Sequence, residues 1–556
     1  MTRRIVVASI LVVGAAGVAL LQAQGRGGPE WTTSASDAQR SAWMRADPRI
    51  SVQTLLKPAE FGAFKFLWKL KLEYDPKAPT TLTQPVLLTN VIGFRGFKAV
   101  AFVATASQTI HAIDYDFGTP LWKYHINYTA SPPPLVIGTS ECPVGMTAAP
   151  SRATAVGPTG QGARGGGRGG GSGGGVGAPG KGATTLAIAG QAGPGGTPPG
   201  PAGPPPGTST GVVPGSAAAA AGNQPGGLPG PARAAGGGGG GGGFVPGSDA
   251  AYVVGTDGYL HALNIQNGWD NMTPALFLPA NTRAVGLIIA TTDDSAVAYA
   301  ATTNRCGSQP DAVWAMDLDS PQKTVTAFKV GDAIIVGSAG PALGRDGTVY
   351  IATGSGSTDT SNTIFALTPK TLRLKALAKV ADASFTSSPL VFQWKDKEAV
   401  IVAGGGKVYL FDSSLRDTPL AVSPSVGTAA HEAGALTSWL DAQGIRWVGV
   451  PHARGVTAFR LIEQAGKPAF EQGWVSSITS PLPPLVINGV LLAASAGTRA
   501  APAVLYALDA ATGKPLWNSG KTITTTVRGG LAGGQGNVYV PGSDSTLYAF
   551  GFDFEK

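Results

Sequence analysis

The feature that most constrains this chain is a short pattern repeated eight times: an apolar residue, usually an aromatic or His, a small residue, and a second apolar residue. It reads Ile110-His111-Ala112-Ile113, Leu260-His261-Ala262-Leu263, Val313-Trp314-Ala315-Met316 and Ile364-Phe365-Ala366-Leu367. It continues as Val408-Tyr409-Leu410-Phe411, Val456-Thr457-Ala458-Phe459, Leu505-Tyr506-Ala507-Leu508 and Leu547-Tyr548-Ala549-Phe550. Successive copies start 42–53 residues apart, except for a first interval of 150. Each copy follows another short apolar run across turn residues such as Thr256-Asp257-Gly258 or Gly542-Ser543-Asp544. Short strands at this period, about four per repeat, predict an all-β chain folded as an eight-bladed β-propeller with four-stranded antiparallel blades. The last repeat stops at Lys556 without an outer strand, and residues 64–72 form an orphan strand near the other end. Pairing the N- and C-terminal strands closes the ring and removes a sheet edge.

The long first interval comes from residues 151–243, a Gly/Pro/Ala-rich tract with no Asp, Glu or aromatic residue. Without its 93 residues the interval falls to 57, so the tract is an insertion within blade two and not a linker between domains. Having little apolar surface to bury, it predicts a disordered loop. Gly165, Gly167 and Gly170 satisfy G-x-G-x-x-G, but glycine-rich sequence does so by chance, and no strand-to-helix context surrounds them. Arg152, Arg164, Arg168, Lys181 and Arg233, with Arg3 and Arg4 near the start, account for nearly all of the formal +8 charge. No aromatic is interleaved for base stacking, so no nucleic-acid partner is expected.

Arg3 and Arg4 precede an apolar stretch from Ile5 to Leu21, the plan of a secretory signal. The stretch is also at the short edge of a membrane-spanning length. Residues 1–24 are therefore read as a signal peptide or membrane anchor, and the protein as periplasmic or extracellular. Membrane contact is expected only through an uncleaved first segment. Residues 25–63 form an N-terminal segment in which 36–47 are helix-compatible and predict a short helix packed outside the ring. Residues 64–556 hold the propeller.

Two blades add a more specific signature. Blade one reads Ala112-Ile113-Asp114-Tyr115-Asp116-Phe117-Gly118-Thr119-Pro120-Leu121-Trp122, and blade seven Ala507-Leu508-Asp509-Ala510-Ala511-Thr512-Gly513-Lys514-Pro515-Leu516-Trp517. Asp caps a tight turn, Gly permits a close backbone approach, and Trp lies across the neighbouring blade's turn. This pattern resembles the tryptophan-docking motif of the pyrroloquinoline-quinone (PQQ) repeat propellers, the quinoprotein alcohol dehydrogenase-like superfamily. The resemblance covers residues 64–556 apart from the insertion. Blade two keeps Asn264 and Gly268 with Met272 in place of Trp, blade three keeps Asp317, and blades four to six retain little of the motif.

The resemblance implies one of two functions. Some members are periplasmic dehydrogenases that hold PQQ and Ca²⁺ at the mouth of the central channel, with a catalytic Asp and often a disulfide of adjacent cysteines. Others bind no cofactor and use their loops for protein contacts. This chain has neither adjacent cysteines nor a Cys-x-x-Cys-His haem motif, and no loop shows a recognisable catalytic Asp or Ca²⁺ ligand set. The reading is thus a monomeric, exported, non-catalytic scaffold binding a protein or envelope component, with no cofactor and no metal. A PQQ-dependent dehydrogenase with a diverged site, oxidising alcohols or sugars, is the alternative, and a propeller binding sugars or other small ligands is a third reading.

Among the five histidines, His111 and His261 occupy the repeat position of Trp314 and Tyr409 and read as packing residues, while His125 has no obvious partner. His431, Glu432, His452 and Arg454 of blade six and Arg305 of blade three fall in loops on one face of the ring. They are the candidate channel-mouth residues. Cys142 and Cys306 are the two cysteines. Export and the even count favour a disulfide. Against it, Cys142 reads as following the first strand of blade two and Cys306 the second strand of blade three, which puts the two loops on opposite faces.

Overall fold

The computed structural model describes residues 30–553 apart from 77, 79, 80, 94, 95, 128–138, 140, 144, 157–248, 293, 294, 417 and 427–433. The candidate signal segment and nearly all of the Gly/Pro-rich tract lie outside the described residues. Among those described, no helix is long and apolar enough to cross a membrane.

Eight small sheets form the ring. Blade one consists of Val86–Gly93, Gly96–Ala104, Thr109–Asp114 and Thr119–His125, and blade six of Thr437–Leu440, Arg446–His452, Gly455–Gln464 and Lys467–Val475. The other blades repeat this antiparallel order from the channel outward, with three exceptions. Blade two shows three strands, Ala250–Val254, Tyr259–Asn264 and Ala275–Leu276, and blades three and seven each gain a short parallel inner strand. Inner and middle strands are sealed between blades: Ala250–Val254, Ala296–Thr303 and Asn537–Pro541 are buried throughout, whereas outer strands such as Lys65–Lys71 alternate exposed and covered positions. Cores therefore lie between neighbours, as where Tyr252 and Leu260 of blade two pack with Leu287 and Ile289 of blade three.

The ring closes as the sequence predicts. Lys65–Lys71 pairs antiparallel with Thr546–Gly551, setting Leu70 opposite Leu547 and Phe66 opposite Phe550. The N-terminal strand is thus the outer strand of blade eight.

Docking follows a wider rule than the motif suggests. The Trp122 indole N–H donates to the Ile265 carbonyl of blade two at 3.0 Å, and its ring covers Gly268, where an added Cβ would sit 2.6 Å from ring carbon. Trp474 of blade six does the same to blade seven, donating to the Ala510 carbonyl at 3.0 Å and covering Gly513, and Trp68 of blade eight donates to the Tyr115 carbonyl and covers Gly118. Asp509 and Asn264 cap these turns by accepting amide hydrogens from Ala511 and Gln266, and Asp114 accepts from Asp116. Where blades three and four lack the tryptophan, Tyr299 and Tyr350 of their second strands reach the corresponding turns of the next blades. The Tyr299 hydroxyl accepts from the Lys370 amide at 2.9 Å, and the Tyr350 hydroxyl donates to the Ser413 carbonyl at 2.8 Å. Trp517 has no such turn ahead of it, because the third and fourth strands of blade eight come from opposite ends of the chain. It packs edge-on against Phe64 and Phe550, with centroids 4.9 and 5.6 Å away.

Two boundaries differ from the sequence reading. Residues 36–47 form no helix and do not lie outside the ring; they run inside the channel. Positive φ at Ser36, Arg40 and Ala42 is incompatible with a helix, and their backbone polar groups find partners on the blades instead. The short helices are Val52–Leu56, capped by Ser51, and Pro58–Phe61. The insertion also begins later than residue 151. Ser151 and Tyr252 exchange backbone hydrogen bonds, and Ala153–Ala155 pairs parallel with Ile289–Thr291 on the inner edge of blade three. Residues 151–156 therefore belong to the propeller.

Candidate functional site

The channel is filled by the chain's own residues 30–50. This segment visits the blades in order around the ring. The carbonyls of Trp31, Thr32, Ala38, Gln39, Ser41 and Ala42 accept from the amides of Leu87, Arg152, Leu343, Val391, Ser438 and Val486 at 2.8–2.9 Å. These donors belong to blades one, two, four, five, six and seven. The Thr33 hydroxyl donates to the Leu287 carbonyl of blade three, and the Asp47 carboxylate accepts from the Gly536 amide of blade eight at 3.0 Å. Trp43–Met44 even adds a short parallel strand to the inner edge of blade seven. The inner strand of each blade would otherwise face the channel with unpaired amides, and this segment satisfies them.

Arg40 anchors the plug. It is 1% exposed and donates to the carbonyls of Pro341 at 2.7 Å, Ser34 at 2.7 Å and Gly286 at 2.8 Å, and to the Thr33 hydroxyl at 3.1 Å. Burial lowers its pKa to about 9, partly opposed by Asp37. Burial in turn raises Asp37, though hydrogen bonds from Ser41 and the charge of Arg40 act against the rise.

Above the plug, on the face where chains enter the inner strands, lies a cleft of about 170 Å³. Its floor is Trp31, Ser34, Ala35 and Ala42 of the plug, and its walls include Gln84, Thr147, Arg283, Ser338 and Arg528 from several blades. Among the described residues its lining holds two arginines and no acidic side chain. Gln84 ties wall to floor, its side-chain oxygen accepting from the Ala35 amide and its nitrogen donating to the Leu531 carbonyl. Trp31 is fully buried, and its indole N–H has no hydrogen-bond partner.

None of the described candidates from the sequence lines this cleft. Arg305 turns outward to pair with Asp332 at 2.9 Å. The His452 ring bonds the Thr457 hydroxyl within its own hairpin at 3.0 Å, and burial together with Arg454 lowers its pKa. Arg454 is exposed, and His431 and Glu432 lie outside the described residues. His111 and His261 are buried between blades; His261 bonds Asp270, which also accepts from Tyr124, and His125 meets the Thr109 hydroxyl. The sequence did not point to Trp31, Arg283 or Arg528: Trp31 and Arg528 lie outside the blade strands, and Arg283 opens the inner strand of blade three, which lacks the repeated pattern.

Cys142 and Cys306 form a disulfide. Their loops share a face, contrary to the strand assignment from sequence. Cys142 precedes Ser151, whose bridge to Tyr252 takes the inner-strand position of blade two, and so lies on the entry face with Cys306. Arg283 and Asn304 both donate to the Glu141 carbonyl beside this bond, at 3.2 and 3.0 Å, and Thr147 bonds the Ala284 carbonyl. The disulfide thereby pins one wall of the cleft.

No family model and no curated protein sequence matches the chain. Solved structures do. The quinohemoprotein alcohol dehydrogenase of Comamonas testosteroni aligns with a TM-score of 0.52 at 12% identity, covering 97% of this chain and 82% of that one. A europium-containing methanol dehydrogenase aligns with the same TM-score of 0.52 at 10% identity, covering 95% of this chain and 99% of that one. At such identities the likeness establishes the fold alone, an eight-bladed β-propeller. The described residues at the mouth do not fit the cofactors that the PQQ resemblance implies. The lining offers no carboxylate for a divalent cation among the described residues, and the cleft is smaller than the about 300–1,000 Å³ usual for ligands of drug size. Nor does any group of three or more His, Cys, Asp or Glu residues able to hold a metal occur among the described residues.

Proposed function

We propose that the protein is a non-catalytic propeller scaffold of the cell envelope that binds a protein or another envelope component through its loop faces. The observation that carries this reading is the plug. Residues 30–50 occupy the channel and bond to every blade, which supports a structural use of the channel. Among the described residues, the mouth that remains presents donors and apolar surface but no general base. The apolar start of the chain, preceded by Arg3 and Arg4, and the disulfide both suit export to an oxidising compartment.

The test is direct. Purified protein is incubated with PQQ and CaCl₂, desalted, and scanned for quinone absorbance, and dye-linked oxidation of ethanol and glucose is assayed. The expected outcome is no retained chromophore and no oxidation. Retention of one quinone per chain with turnover would replace this reading with the dehydrogenase alternative.

A further inference from the structure

We propose that the exit face, opposite the cleft, lies on a lipid bilayer, with the chain tethered there by its own apolar residues 5–21. This assignment rests on the scaffold reading and names the envelope component bound. The three most exposed large apolar side chains among the described residues are Trp269 at 72%, Phe117 at 67% and Leu56 at 61%. All three lie on the exit face, where the inner strands end. Trp269 and Phe117 occupy the turn between third and fourth strands in the neighbouring blades two and one, beside Gly268 and Gly118. Leu56 ends the helix Val52–Leu56, just beyond Ile50, whose carbonyl accepts from the Asn488 side chain in the exit-side turn of blade seven at 3.0 Å. The three therefore follow one arc of the ring, from blade seven to blade two. An exposed indole, with an apolar ring and a polar N–H, suits the boundary between water and lipid.

The path of the plug puts the tether on the same face. Trp31 bridges Leu87 antiparallel near the start of the inner strand Val86–Gly93, and the Glu30 carboxylate accepts from the Thr89 amide, two residues nearer that strand's end. The chain thus enters the channel from the exit side. At the other end of the plug, Trp43–Met44 runs parallel to the inner strand of blade seven, and Asp47 accepts from Gly536 in the exit-side turn of blade eight. Both ends of the plug open on one face. The eight residues 22–29 that join Leu21 to Glu30 span at most about 30 Å when fully extended. A bilayer that holds residues 5–21 is therefore kept close to this face. Arg3 and Arg4 ahead of the apolar stretch favour the orientation that leaves the propeller outside the cytoplasm, where a disulfide persists.

Val156 and Asp249, which flank the Gly/Pro-rich tract, lie at the exit ends of their strands as well, the Val156 amide donating to the Thr291 carbonyl at the end of blade three's inner strand. The tract carries Arg164, Arg168, Lys181 and Arg233 without an acidic residue, so anionic lipid would attract it by charge alone. It is no part of the proposed contact, and a zwitterionic bilayer leaves the apolar contacts to be read by themselves.

The experiment reconstitutes the full chain in phosphatidylcholine vesicles, with and without bromine on the acyl chains, and reads tryptophan emission. Of the eleven tryptophans only Trp269 is exposed, so quenching by the brominated lipid reports its contact with the bilayer. A loss of roughly a tenth of the emission is expected, the share of one tryptophan among eleven. Trp269→Phe should abolish that loss, and Phe117→Ser combined with Leu56→Ser should lower it at least twofold. Intact mass of the membrane-extracted protein should retain residues 5–21. Equal emission in the two lipids would leave this face to a protein partner, and quenching that survives Trp269→Phe would put another face on the lipid. Either result, or a mass that lacks residues 5–21, would overturn the proposal. A retained quinone in the oxidation test would instead end the scaffold reading and leave the quenching result standing.

Discussion

Replacing Trp474 with alanine should cost more stability than replacing Trp517, although only Trp517 completes the motif visible in the sequence. Trp474 is 8% exposed, covers Gly513 of the next blade and donates to the Ala510 carbonyl. A buried aromatic removes about 150–250 Å² from water, worth roughly 4–6 kcal/mol at 25 cal/mol per Å² as an upper estimate. The indole hydrogen bond adds about 1 kcal/mol. Measured truncations of this kind cost about 3–5 kcal/mol, and that is the value expected for Trp474→Ala. Trp517 is only half-buried and has no turn to cover, so about 1–3 kcal/mol is expected from its partial burial and edge-on contacts. The sharper test is coupling. Gly513 has φ +71, and a Cβ there would meet Trp474 ring carbon at 2.6 Å. Gly513→Ala therefore carries a backbone penalty of about 1–2 kcal/mol plus a clash that only Trp474 creates. In a double-mutant cycle read by equilibrium urea unfolding, Gly513→Ala and Trp474→Ala should couple by about 1 kcal/mol or more, whereas Gly513→Ala and Trp517→Ala should add independently. Coupling to Trp517 instead, or to neither, would refute the interblade docking rule.

Other consequences are equally open to measurement. Burial, reinforced by Asp114, raises Asp116 to about 7, so its contribution is fully present below about 3.9 and is lost as pH rises through about 7. Asp116→Asn should therefore gain on the wild type with increasing pH, by at most about 4 kcal/mol before solvent screening, and parallel curves from pH 4 to 8 would contradict the assignment. Glu73 is held at about 2 despite its partial burial by Thr109, Lys123 and Ser107, so its contribution is present above about 4.3 and is lost as pH falls through about 2; Glu73→Gln should narrow the gap to wild type in that acid range. Excising residues 160–245 should shift stability by less than about 1 kcal/mol, since loop closure depends only on the logarithm of length, while a deletion that begins at 151 should cost several kcal/mol by removing the Ser151–Tyr252 and Ala153–Ala155 pairings; equal effects would refute the revised boundary. Thiol titration of denatured protein should find no free thiols before reduction and two after it. The bond closes a loop of 164 residues, so replacing both cysteines with serine should destabilise by about 2–5 kcal/mol.

The ring, its count and its closure were legible because they rest on periodic strands and on a terminal strand left without a partner. Docking was legible only where Asp, Gly and Trp fall in one stretch of chain. Trp474 escaped notice because its own stretch has Arg460 where the motif places Asp, and Tyr299 and Tyr350 because they reach the turn from a different strand. The channel plug carried a misleading local signal: residues 36–47 are helix-compatible in type, yet they form no helix. Their conformation is set by what surrounds them: an eight-bladed channel leaves a circle of inner-edge amides that need acceptors. Thr32, Ala38, Gln39, Ser41 and Ala42 each present a carbonyl to one of them. Ala38, with its small side chain, packs fully buried among blades three and four, where a bulkier residue would press on the surrounding strands. Arg40 then fixes the height of the segment by gathering the carbonyls of Ser34, Gly286 and Pro341. The cleft and its unpaired Trp31 follow from that height, so the candidate site is a property of the plug more than of the blades. Loop substitutions around the mouth would accordingly tune the site, whereas a change that lets residues 30–50 leave the channel would abolish it.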